Sequence, residues 1–100
     1  MRYQLRIAEA VWSQADEIDS WWRVNRRGAP RLFREELLAA LVRIEAAPSA
    51  ARPYGHEGQP SHLRRVLLPR SRYFVYFEVE GDWITVLAVW HASRGKGPPL

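Results

Sequence analysis

The chain has 100 residues, 47 % of them hydrophobic, and a formal net charge of +4 at pH 7. That length is one ordinary domain, and that apolar share supports a core. The lack of cysteine excludes disulfides and thiol chemistry and argues against structural zinc; no apolar run nears the roughly 18 to 20 residues that span a bilayer.

The charge is uneven. Residues 1–50 carry eight arginines against seven acidic residues, and residues 51–100 carry six arginines and Lys96 against four. A basic second half suits polyanions or acidic protein segments, although arginine richness also follows from a GC-rich genome. Arginine in place of lysine favours bidentate contacts to carboxylate or phosphate. The N-terminal MRYQLRIAEA lacks the apolar core of a signal peptide, so a cytoplasmic protein with no membrane partner is expected.

Residues 3–7 alternate, with Tyr3, Leu5 and Ile7 on one side, as in a half-buried strand. Residues 9 to 27 read as a helix whose stripe is Val11, Ala15, Ile18 and Trp22. Its acids lie early and its basics late, which complements the helix dipole. Gly28 is the expected C-terminal cap, and Pro30 the expected first position of a second helix. That helix has the inner stripe Phe33, Leu37, Ala40, Leu41 and Ile44, and Pro48 stops it. The short connection predicts an antiparallel helical hairpin. Trp12 and Trp21 fall off the main stripe. Either they widen the core face, or they form an exposed aromatic patch for a partner.

Residues 48–61 have no periodicity and hold His56 and Glu57, the only ionisable pair of this loop. Three strands follow near 62–68, 72–79 and 83–91, and Glu80-Gly81-Asp82 is a hairpin signal. The order β-α-α-β-β-β predicts an α+β fold: an antiparallel sheet with a helical hairpin packed on one face. One domain spans 1–100, with a flexible tail from about 95 to 100.

In 72–79, Tyr73, Val75, Phe77 and Val79 share one face, and Phe74, Tyr76 and Glu78 share the other. Both are largely apolar, so the pattern does not say which one the helices cover. The uncovered face would join aromatics with basics, as a platform for nucleic acid or an amphipathic segment. Arg64 and Arg65 project to opposite faces, so only one can join a given site. His91 closes the last strand and Arg94 follows three residues on. Histidine at a strand end serves packing or general acid/base work. One histidine with Arg65, Arg72 and Arg94 suits metal-free phosphodiester cleavage, where arginines stabilise phosphate charge. A second proton-transfer group is then needed; Glu57, His56 and Tyr73 are the candidates. No metal-ligand cluster, phosphate loop or nucleophile elbow occurs, and no cofactor is expected.

The chain resembles the RelE/ParE superfamily of toxins from type II toxin–antitoxin modules, closer to the ParE-like branch. The pieces that carry this are the early strand, the helix pair, ALVRIEAAPSAARP, LRRVLL, RYFVYFEV and ITVLAVWHASRG, in that order. The ParE-like branch inhibits DNA gyrase; its ending, a strand running into a histidine with an arginine shortly after, is matched by His91 and Arg94. The RelE-like branch cleaves mRNA on the ribosome. In one of its groups an arginine opens the penultimate strand and a histidine ends the last, as Arg72 and His91 do here. That group's terminal tyrosine is replaced by Ala92, its glutamate has no clear counterpart, and the lysine set of RelE itself is missing. The resemblance thus implies a growth-arresting toxin, with gyrase as target or alternatively the ribosome and mRNA. It also implies a cognate antitoxin whose acidic and apolar tail folds across the toxin. Candidate contacts for that partner are Trp12, Trp21, Tyr76 and Arg64.

Overall fold

The computed structural model describes residues 2–55 and 62–100. Strand β1 (Gln4–Ile7) leads into helices α1 (Glu9–Asn25) and α2 (Leu32–Ala46). A 3₁₀ turn, Pro48–Ala50, leads to a two-residue strand β2 (Arg52–Pro53). Strands β3 (Leu63–Leu68), β4 (Tyr73–Glu80) and β5 (Trp83–His91) complete an α+β domain. His56 and Glu57 lie outside the described residues.

Both helical stripes are buried as their periodicity requires. Val11, Ala15 and Trp22 of α1 and Phe33, Leu37, Ala40, Leu41 and Ile44 of α2 enter one core, with Ile18 packed against it. The helix ends differ from expectation. α1 closes at Arg26, whose N–H donates to the Trp22 carbonyl, so Gly28 lies beyond the cap. α2 begins after Arg31, which leaves Pro30 in the turn before it.

The sheet order is β1-β5-β4-β3-β2. Strands β2 to β5 pair antiparallel, but β1 joins β5 in parallel, so the sheet is mixed. β1 runs off into the helices and shares no hairpin with β5, so nothing forces antiparallel pairing there. Gly81, at φ 62°, makes the expected tight turn between β4 and β5. The helices cover the face of Val75 and Phe77, with Tyr73 and Val79 at its margins.

β5 carries an irregularity that decides the site. Tyr76 pairs with Ala88 and Phe77 with Val86, so Leu87 is an extra residue opposite no partner. The bulge resets the alternation. Ile84 and Val86 point to the helices before it, and Val89 and His91 do so after it. Trp90 is placed beside Phe74 on the far side.

Candidate functional site

The end of β5 and the start of β4 meet beneath α1. Tyr73 and His91 are cross-strand partners, and two open clefts flank them. The larger, about 510 Å³, is lined by Trp21, Trp22, Arg26, Arg70, Ser71, Arg72, Tyr73 and His91. The smaller, about 190 Å³, is lined by Gln14, Glu17, Ile18, Tyr73, Val89, Trp90, His91 and Arg94.

Local chemistry builds this corner. The turn after β3 is held by Glu36 of α2. Its two carboxylate oxygens accept the backbone N–H of Arg70 at 3.0 Å and of Ser71 at 2.8 Å. Burial pushes the Glu36 carboxyl up, but those two N–H donors, with help from the Ser71 hydroxyl and the Arg70 charge, bring it below its ordinary value. The Ser71 hydroxyl is buried beside the carboxylate but lacks hydrogen-bond geometry to any partner, so we assign it a weak electrostatic part only. The turn then forces Arg72 to φ 68°, a left-handed conformation rare for a side-chain-bearing residue. Its carbonyl accepts the N–H of Ala92 at 2.8 Å, which ties the turn to the end of β5.

His91 Nδ1 lies 3.1 Å from the Ser93 backbone nitrogen and 2.6 Å from the Ser93 hydroxyl. The backbone N–H can only donate, so Nδ1 is the acceptor and the ring proton belongs on Nε2. Burial raises the Tyr73 phenol above its ordinary value, and the Arg94 charge offsets part of that. The Arg94 guanidinium stacks on the Trp90 ring at 4.2 Å.

The sequence-derived quartet is only partly assembled. Arg72 and His91 share the larger cleft, and His91 and Arg94 share the smaller. Arg65 does not join them. It pairs with Tyr76 on the opposite face, where its guanidinium sits 4.0 Å from the Phe74 ring centre and 4.9 Å from that of Tyr54. Strand alternation separates it from His91. Arg64 does point the other way, but its guanidinium donates to the carbonyls of Ala51 at 2.6 Å and Ser49 at 3.5 Å.

Of the expected partner contacts, Trp12 and Trp21 are each 48 % exposed. They stand about 90° to either side of the buried stripe of α1, at 100° per residue, so they do not form one patch. Tyr76 is 2 % exposed and offers no surface to a partner. Its ring packs edge-on against Tyr54 at 4.9 Å. The chain end lies over the same face: Trp90 Nε1–H donates to the Lys96 carbonyl at 2.7 Å, and Pro98 is buried.

Sequence reasoning missed Arg26, Arg70 and Ser71 as cleft residues. The only signal was the Arg-Ser-Arg spacing of the turn, which does not reveal that α1 ends above it. Among the described residues no helix is long and apolar enough to cross a membrane.

No curated protein matches the chain. A family model does: it describes the ParE toxin of the type II toxin–antitoxin system parDE, and it matches residues 5–95. That span runs from the second residue of β1 through the turn beyond His91, so of the elements described above it leaves out only Gln4. The chain belongs to this family of type II toxin–antitoxin toxins.

Proposed function

We propose that this toxin arrests growth in the bacterial cytoplasm by ParE-like inhibition of DNA gyrase, and that a cognate antitoxin neutralises it. The observation that carries the reading is the family match over residues 5–95. The divided quartet supports it too, because Arg65 lies on the wrong face to serve a reaction at His91. The antitoxin is a chain with apolar and acidic segments. Trp12 and Trp21 flank α1, Leu38 and Val42 form an exposed i,i+4 pair on α2, and Arg64 lies near the 3₁₀ turn.

The test is reconstitution. Purified toxin added to gyrase and plasmid should block supercoiling or trap cleaved DNA, and the cognate antitoxin should reverse this. Intact gyrase activity at saturating toxin would reject the target.

One observation favours a second reading, a ribosome-dependent endoribonuclease. Arg72, Tyr73 and His91 line one cleft, which brings a phosphate-stabilising cation beside two groups able to exchange protons. Translating ribosomes supplied with the toxin would then show mRNA cut in the A site, and His91→Ala would abolish the cut.

A further inference from the structure

We propose that the larger cleft is a binding site for a nucleoside phosphate, either free or as a unit of a single strand. Arg26, Arg70 and Arg72 take the phosphate, and Trp21 takes the base. The site does not depend on which cellular target the toxin attacks.

The charge argument comes first. Three arginines converge on one cleft of about 510 Å³, and among the described residues no carboxylate lines it. Among the described residues, Arg72 has no side-chain hydrogen bond or ion pair. Arg70 feels the charge of Glu36 but, among the described residues, its side chain makes no hydrogen bond or ion pair. Among the described residues the Arg26 side chain meets a ring alone, with its guanidinium 5.3 Å from the Trp21 centre. Guanidinium groups gathered around one space create a positive field that an anion relieves, and their fork geometry matches phosphate.

The aromatic wall makes the ligand more than a bare anion. Trp21 is 48 % exposed yet braced, edge-on to the buried Trp22 at 6.0 Å and 72°, and flanked by Arg26. A half-exposed ring beside a cluster of arginines is the pairing that holds a base and its phosphate together, since stacking accepts any base. His91 also lines the cleft; with its Nδ1 taken by Ser93, Nε2–H is the donor that remains on its ring. The volume fits a small-molecule cleft.

The backbone adds an independent sign. Arg72 is held at φ 68°, where glycine would sit without strain. The strain places a guanidinium in the cleft, whereas the turn alone requires none.

The experiment is fluorescence anisotropy of the full-length purified chain with a labelled single-stranded RNA tetramer at low salt. Competitors are AMP, inorganic phosphate and a glutamate-rich peptide. Trp21→Ala, Arg70→Gln and Arg72→Gly should each weaken binding at least fivefold, while Arg43→Gln, which makes the same charge change outside the cleft, should leave it within twofold. Circular dichroism verifies that each variant is folded. Competition by AMP at an affinity equal to that of the tetramer identifies a free nucleotide as the source. A tetramer at least tenfold tighter than AMP identifies a strand. Equal losses in the three arginine variants, Arg43→Gln included, with Trp21→Ala unchanged, would mean binding by net charge, and would overturn the site. An unchanged Trp21→Ala, with phosphate competing as well as AMP, would overturn the nucleoside assignment. Displacement by the acidic peptide but not by AMP would do the same, in favour of a protein ligand.

Discussion

Tyr73 and His91 face each other across β4 and β5, and their rings meet edge-on, 4.9 Å apart at 89°. On its other side Tyr73 meets Phe33 of α2 at 5.1 Å, so the core runs without a break into the cleft wall. His91 is therefore positioned by packing, from a ring that α2 itself fixes. Under the gyrase reading its role is structural, and His91→Gln should keep gyrase inhibition within about threefold of wild type. Parallel supercoiling assays check this. A loss of a hundredfold or more in a folded variant would instead give His91 a direct part.

The Glu36 latch on the Arg70–Ser71 turn should be measurable. Glu36→Ala removes a charged acceptor from two backbone N–H groups and should cost roughly 1 to 2 kcal/mol, moderated by partial exposure. The pH dependence has a definite sign. The folded carboxyl lies below its ordinary value of 4.5, so its stabilisation is present above pH 4.5 and is lost as pH falls through the folded value. Denaturant unfolding of wild type and Glu36→Gln at pH 7 and pH 3 should show the gap between them closing in acid. A constant gap would remove the ionic part of the latch.

Much of this architecture is legible in the chain. The helical stripes are, because a 3.6-residue period survives any surroundings, and so is the turn at Gly81, because positive φ selects glycine. The phase of β5 is not. Strict alternation from Ile84 would put Val89 and His91 away from the helices, and nothing in ITVLAVWH announces an unpaired Leu87. Glu36 is equally silent in sequence, because its partners are backbone groups 34 and 35 residues away. The separation of Arg65 from His91 is hidden for a related reason: the sidedness of Arg65 is plain from alternation, but that of His91 depends on the bulge.

The bulge makes an asymmetric prediction about length. Deleting Leu87 leaves every observed cross-strand partner of β5 in register, so Val89 and His91 keep their face. The cost should be that of one half-buried leucine, about 1 to 2 kcal/mol. Inserting an alanine after Leu87 adds a second unpaired residue. Ladder pairing then either breaks or turns the buried Val89 outward and drives Trp90 toward the core. Since about 1 kcal/mol moves Tm by roughly 4 to 8 °C in a domain this small, thermal melts should separate the two variants clearly. Equal melting temperatures would reject the account.

The exposed side chains of the helices should be dispensable for folding and needed for the antitoxin. Trp12→Ala removes a ring that is 48 % exposed, and Val42→Ser alters a residue that is 70 % exposed. Each should change stability by less than about 0.5 kcal/mol. If the antitoxin covers this surface, Trp12→Ala should weaken the complex by about 2 kcal/mol, near thirtyfold. Titration calorimetry of the cognate pair reads this directly. Wild-type affinity in both variants would move the antitoxin to another face.

Arg72 allows strain and function to be separated. A side-chain-bearing residue in the left-handed region costs about 1 to 2 kcal/mol relative to its relaxed form, and part of what glycine regains is lost to a freer unfolded chain. Arg72→Gly should therefore be more stable than wild type by about 0.5 to 1 kcal/mol, whereas Arg72→Ala, which keeps the Cβ, should match wild type. Chemical denaturation of the three chains checks the order. If glycine gains nothing over alanine, the turn is not strained at this residue. If glycine gains stability while both variants lose the ligand of the cleft, a guanidinium at this place is held against the preference of its own backbone. That is the pattern expected when a side chain, and not the turn, is what the position serves.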